Sequence, residues 1–149
     1  MAQNITTLHP PLPVPDPVSA PFWEGVGRGV LLVQRCGNCG RLQFPFDLRC
    51  KSCDSTEVAP YEVSGRGAVF SYTETVSGAR HPYFEGISPY LVGQVQLAEQ
   101  DDLILMSNFP GSTYNELWVG APVRVEFHEL ARGVFIPQFR ATESIETGQ

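Results

Sequence analysis

The chain has 149 residues, a formal charge of −6 and a sequence pI near 4.9, length enough for one ordinary domain, or for a small metal-stapled module joined to a domain of about 80 to 90 residues. Its 14 glycines and 13 prolines mark many turns, and 42 % hydrophobic content supplies a core, a pairing that favours short strands over long helices. No apolar run approaches the roughly 20 residues that cross a bilayer, and the first residues lack the charged-then-apolar order of a signal peptide, so a soluble cytoplasmic protein without membrane contact is expected.

The charge is uneven. Residues 28–66 carry six bases against four acids, and the rest of the chain sums to −8. Proteins that bind nucleic acid gain affinity by neutralising phosphates with a basic surface, so the acidic C-terminal half argues against general RNA or DNA binding. A local phosphate site near residues 28–66 stays open. Nine of the ten bases are arginine, which suits bidentate phosphate contacts and equally suits a compositional bias.

Residues 1–18 hold Pro10, Pro11, Pro13, Pro15 and Pro17, a density that forbids a helix and favours an extended strap, either free or laid along a partner. Signals then change to a short helix from Ser19: Ser19 as cap, Pro21 in the first turn, Glu24 at the positive end of the dipole, and Gly25, Gly27 and Gly29 to end it. Its apolar face of Phe22, Trp23 and Val26 must lie on something, within this chain or beyond it.

Val30 to Arg35 reads as a strand leading into the cysteines. All four fall as two Cys-x-x-Cys pairs, Cys36 with Cys39 and Cys50 with Cys53, separated by ten residues. Two intervening residues let one tight turn aim both sulfurs at a common centre, with Gly37 and Gly40 supplying backbone freedom. Four thiolates satisfy a tetrahedral zinc, and the spacer suits a hairpin returning through Leu42, Gln43 and Phe44. Disulfides would need an oxidising compartment, a redox Cys-x-x-Cys would be expected near a βαβ pattern, and iron also takes four-sulfur sites. Four protein ligands leave no open position, so such a metal folds the chain and performs no chemistry.

After a linking strand over 58–63, with Pro60 at an edge, and a turn at Ser64 to Gly67, five strand-like runs follow: 68–76, 90–97, 103–108, 123–128 and 134–139. Alternation is plainest where Val123, Val125 and Phe127 face Arg124, Glu126 and His128. With no convincing helix between them, the runs suggest a small closed barrel, of which the OB-fold is the common five-stranded example. The fold class expected is therefore mainly β: a short N-terminal helix and a four-cysteine zinc ribbon over 19–63, a five-stranded OB-fold barrel over 64–141 and a tail over 142–149. The intervening loop, Ser77 to Pro89, is long and apolar. Through Pro82, Tyr83, Phe84 and Ile87 it either folds back on the barrel or contacts a ligand or partner.

The order of features resembles that of the DUF35 family. Those features are Pro21-Phe22-Trp23-Glu24, Cys36-Gly37-Asn38-Cys39-Gly40, Phe44-Pro45, Ser64 to Thr73, Ser107-Asn108, Gly120 to Val123 and Pro137 to Arg140. Seven separated features occur in order across about residues 19–141. The resemblance implies a rubredoxin-like ribbon holding one structural zinc per chain, followed by an OB-fold. It further implies a non-catalytic, hetero-oligomeric partner of thiolase-superfamily enzymes (condensing enzymes, acyltransferases or retro-aldolases), helping to bind or enclose an acyl-CoA; alternatively, a partner of a MaoC-type enoyl-CoA hydratase. On this reading Phe22, Trp23, Tyr83 and Phe84 are candidates for the partner interface. Arg66 and Arg80, which flank the first barrel strand, are candidates for a CoA phosphate, with surface salt bridges as their alternative role.

An independent active site is not expected. All cysteines are committed to metal, and Lys51, the sole lysine, lies inside the second cysteine pair. No Gly-x-Ser-x-Gly, dinucleotide or P-loop pattern occurs, and His9, His81 and His128 lie in tail, loop and polar strand positions. The aromatic strand residues Phe70, Tyr72 and Tyr90 raise single-stranded nucleic-acid binding as a rival, because OB-folds stack bases on aromatics.

Overall fold

A computed structural model of the protein describes residues 10–76 and 81–142. Arg80, one of the two candidate phosphate ligands, lies outside the described residues.

Helix α1 spans Ala20–Gly27. It starts directly after Ser19, where the sequence suggests, but Ser19 makes no side-chain cap bond. Instead the Ser19 N–H donates to Asp16 Oδ1 at 2.7 Å and the Asp16 N–H donates to Ser19 Oγ at 3.0 Å. This is a reciprocal capping box with the acid in the leading position. Its end is a left-handed Gly29 (φ 73°), with Gly29 N–H on Val26 O at 3.0 Å and Val30 N–H on Gly25 O at 2.9 Å, the paired bonds of a Schellman motif. Gly25 lies so close to β1 (Leu32–Cys36) that an added Cβ would sit 2.8 Å from Leu32 Cδ1, which is what lets helix and strand touch.

Strands β1, β2 (Leu42–Gln43) and β3 (Val58–Glu62) form an antiparallel sheet in the order β2-β1-β3. Pro60 sits on β3, an edge strand, opposite Gln34. The second sheet contains β4 (Arg66–Thr75), β5 (Tyr90–Leu97), β6 (Ile104–Asn108), β7 (Pro122–Ala131) and β8 (Val134–Ala141) in the order β6-β5-β4-β7-β8. All its neighbours are antiparallel, and it is the OB-like barrel expected. The free edges meet through a side chain, since the Phe139 N–H of β8 donates to Ser107 Oγ of β6 at 3.0 Å. A bulge between Val69 and Ser71 curves β4, and Gly93 opposite it lies against the backbone of Ser71 and Tyr72, where a Cβ would fall 2.6 Å from Tyr72 Cα.

A helix does interrupt the barrel strands. α2 spans Pro82–Ile87 in the stretch expected to be a loop. Pro82 occupies the first turn and His81 Nδ1 accepts the Tyr83 N–H at 3.3 Å, so a histidine does the capping that Ser or Asp would signal in a sequence.

One core joins both sheets. Phe22, Val26, Leu31, Val33 and Val63 from the helix and ribbon side are continuous with Val69, Val95, Leu105, Val123 and Phe139 inside the barrel. A second clasp lies at the surface, where the Gln100 side-chain amide pairs with β2 as a further strand would: Leu42 N–H donates to Oε1 at 3.0 Å and Nε2 donates to Leu42 O at 2.7 Å. Arg41 and Asp102 add an ion pair beside it.

The capping box gives a test. The Ser19 backbone N–H, and then its hydroxyl, hold the Asp16 carboxyl below its ordinary 3.8. A lowered folded-state value means the contribution is complete above pH 3.8 and is lost as pH falls through the lowered value. Asp16→Ala is expected to lower the Tm at neutral pH, Asp16→Asn to lower it less, and the wild-type advantage over Asp16→Ala to shrink only below that pH, as read by thermal melts across a pH series.

Candidate metal centre and neighbouring apolar surfaces

The two cysteine turns are near copies. In the first, Cys36 closes β1, Gly40 N–H donates to Cys36 O at 2.9 Å, and Gly40 takes φ 76°. In the second, Asp54 N–H donates to Cys50 O at 2.9 Å and Asp54 takes φ 62°. Aspartate tolerates the left-handed region better than most residues, so it serves where the first turn uses glycine. Gly37 needs no such freedom.

The four Sγ atoms lie within 4.8 Å of one another, with Cys36 to Cys53 and Cys39 to Cys50 both at 3.6 Å. None is bonded to another. Four sulfurs at about 2.3 Å from a tetrahedral ion would stand roughly 3.8 Å apart, so the set fits a four-coordinate metal. Cys36 and Cys50 are buried, Cys39 and Cys53 exposed. Backbone N–H groups of Asn38 (3.4 Å) and Cys39 (3.5 Å) point at Cys36 Sγ, and Ser52 N–H (3.4 Å) points at Cys50 Sγ. These donors favour thiolate. The Cys39 N–H chiefly brings Cys36 down to about 6, and the Asn38 side chain chiefly lowers Cys53. At Cys39 the Arg41 N–H pulls downward, but burial and the three neighbouring sulfurs outweigh it and raise that thiol to about 11. A metal bound here supplies folding energy and has no coordination position left for substrate.

Two buried glutamines carry the second cysteine pair to the first, and no motif in the sequence marks them. Gln34 Oε1 accepts from Asp47 N–H at 2.7 Å and from Gln43 Nε2 at 2.9 Å, while Gln34 Nε2 donates to Asp47 O at 2.9 Å. Gln43 completes the net, donating to Arg49 O at 3.0 Å and accepting Lys51 N–H at 2.8 Å. Gln34 is 5 % and Gln43 8 % exposed. In sequence they are polar positions within strand-like runs; only pairing reveals that they satisfy the backbone of the spacer.

Of the aromatics expected at an interface, Phe22 is taken up by the core. It is 6 % exposed and packs on Trp23, Phe44 and Phe46 with ring centroids 4.9, 5.1 and 6.1 Å away, because the ribbon hairpin folds over the inner face of α1. Trp23 is half-buried and borders an apolar trough of about 500 Å³ running between Phe44 and the outward residues Val92, Ile104, Met106 and Pro137 of the barrel. Met106 is 65 % exposed there. Tyr83 and Phe84 line a second cavity of about 500 Å³ between α2, the strap residues Pro10 to Pro13, and the barrel seam, and none of its lining residues is charged. The two spaces share Asn108 and Ile136. Arg66 is exposed at the start of β4. Tyr72 donates its hydroxyl to Leu117 O at 2.6 Å, Tyr90 packs on Phe84 at 5.9 Å, and Phe70 is 51 % exposed. Among the described residues no helix is long and apolar enough to cross a membrane.

Fold and site together define a four-cysteine ribbon mounted on an OB-type barrel. Residues 23–59 match the family model described as ChsH2, rubredoxin-like zinc ribbon domain, and residues 60–128 match ChsH2, C-terminal OB-fold domain. A chain of the solved Ltp2-ChsH2(DUF35) aldolase superposes with a TM-score of 0.79 at 30 % identity, covering 88 % of this chain and 99 % of that one. The chain belongs to the DUF35 family, in its ChsH2-type arrangement. A "Probable enoyl-CoA hydratase alpha subunit" of Thermomonospora curvata is 32 % identical over 80 % of this chain, and the benzoylsuccinyl-CoA thiolase subunit BbsA of Thauera aromatica is 31 % identical over 64 %. The matched stretch spans 36 % of the first relative's length and 59 % of the second's.

The glutamine net sets a measurable expectation. Gln43→Leu leaves the Lys51 N–H and Arg49 carbonyl without their buried partner, so it should destabilise the ribbon by about 1–3 kcal/mol. Metal affinity should fall roughly tenfold or more, as for other residues that orient ligands. Competition with a chromophoric chelator, together with metal analysis giving one ion per wild-type chain, checks both. Because Cys39 must lose a proton to ligate, affinity should decline as pH falls.

Proposed function

We propose that this chain is a non-catalytic subunit that docks on a thiolase-superfamily enzyme, holds zinc in its four-cysteine site for structural purposes, and helps enclose the acyl-CoA or acyl substrate of that partner. The observation that carries the reading is the apolar trough bordered by Trp23 and the exposed Met106, next to a ribbon whose metal has no vacancy for chemistry. An exposed apolar surface of this kind, set between two rigid elements, is what a protein partner covers. The relatives point to the partner's class, since one is a subunit of a thiolase and another belongs to an aldolase. On this reading Tyr83 and Phe84, which line the charge-free cavity, meet the apolar end of a substrate, and Arg66 and Arg80 take its phosphates. Tyr72 and Tyr90 are engaged within the chain, which speaks against a base-stacking platform.

A hydratase partner is the second reading, favoured by the Thermomonospora curvata relative's name. The aldolase chain, covered over 99 % of its length, argues for the first.

The test is reconstitution with a thiolase-superfamily subunit from the native host. Co-elution as a stable complex is expected. Met106→Asp should weaken it at least tenfold, about 1.4 kcal/mol, with the Tm of the free chain unchanged because the side chain is exposed. A chain that elutes alone beside that subunit, or a complex indifferent to Met106→Asp, would contradict the reading.

A further inference from the structure

The barrel's register brings together three arginines that are far apart in sequence. Arg66 of β4 is the direct cross-strand partner of Arg124 of β7, and Arg124 is in turn the direct partner of Arg140 of β8. Directly opposed residues of antiparallel strands project from the same face, so the three guanidinium groups form a row over two strand spacings, roughly 10 Å. All three are exposed. Like charges placed opposite one another destabilise a sheet, and here two such pairs stand side by side in a chain whose net charge is −6.

Local acids neutralise one end of the row and leave Arg66 and Arg124 uncompensated. Glu126 is paired with Arg140 at 2.8 Å, and the Glu99 carboxylate is taken by the Ser64 N–H at 2.8 Å. Among the described residues neither Arg66 nor Arg124 has an acidic partner within 4.0 Å. Arg140 is also oriented by packing, because its guanidinium lies against Gly111, where φ 80° and the missing Cβ make room for it. Gly111 belongs to the wall of the charge-free cavity under α2. One end of a cationic row therefore abuts the rim of an apolar, uncharged space.

We propose that Arg66, Arg124 and Arg140 form an oxyanion-binding row for a phosphorylated ligand whose apolar portion reaches the adjoining cavity. The planar guanidinium fork takes phosphate oxygens two at a time, and a diphosphate spans about one strand spacing of ~4.8 Å, so neighbouring arginines can each hold one phosphate. This rests on the reading that the chain helps hold its partner's substrate, and it extends that reading from Arg66 to Arg124 and Arg140, which only the strand register brings beside it.

The experiment is calorimetric titration of inorganic pyrophosphate into the full, metal-loaded chain at low salt. Saturable binding is expected, weakened at least tenfold by Arg124→Gln and less than twofold by Arg132→Gln, which removes an equal charge at the far tip of the β7–β8 hairpin. Because Arg124→Gln relieves like-charge opposition, its Tm should equal or exceed that of the wild type; Arg66→Gln is the second variant, read in the same way. Absence of saturable binding, or equal losses for Arg124→Gln and Arg132→Gln, would overturn the proposal. So would tighter, Arg124-dependent binding of a polyglutamate peptide than of pyrophosphate, which would make the row a contact for an acidic protein surface. Pyrophosphate binding that persists in a chain unable to capture the thiolase-superfamily subunit would remove the docking reading and leave the row standing.

Discussion

The convergence of four sulfurs on one centre is the constraint on which the N-terminal half depends. β2 has two residues and β1 and β3 have five each, a sheet too small to hold together by burial and ladder bonds alone. Structural metal binding, at about 10 kcal/mol or more, outweighs any single contact in the ribbon. Cys36 is the last residue of β1, whose Val33 lies in the shared core with Phe22 and Val26. Fixing the sulfur therefore fixes the strand, the strand fixes α1, and the Gln100 amide ties the outer hairpin to the barrel. A metal in this site would act at a distance, by holding Trp23 in place beside Met106.

That coupling explains why the apolar surfaces are where they are. The trough exists only because the ribbon hairpin, through Phe44, overhangs the outer side of β5 and β6. The second cavity exists because α2 and the proline strap roof the outer side of the barrel seam. Both lie outside a barrel whose interior is filled by Val95, Leu105, Val123 and Phe139. The ligand and partner contacts proposed above would therefore fall on the flanks of the barrel and leave its packed core undisturbed.

Much of this was legible in the chain itself. Cysteine spacing announced the metal centre, because ligation requires residues at fixed short separations, and period-two alternation announced β7, because one face is buried and the other wet. What escaped detection depended on pairing. The juxtaposition of Arg66 with Arg124 and Arg140 and the bonding of the Gln34 and Gln43 net come only from register or burial. The α2 helix escaped for a different reason: its cap is a histidine and its six residues are too few for a 3.6-residue period to show. Phe22 and Trp23, adjacent in sequence, separate into core and surface because successive helical positions point about 100° apart.

On the function proposed above, the chain is an accessory module in which metal binding serves shape and the apolar surfaces serve recognition. In the proposed complex, the face between α1 and β6 is covered by a thiolase-superfamily subunit. Hydrogen–deuterium exchange of the chain with and without that subunit tests this most directly. Added protection is expected across residues 20–27 and 104–108 in the complex, lost when the metal is removed by chelation before mixing. Protection confined to other parts of the barrel, or protection that survives metal removal, would contradict it.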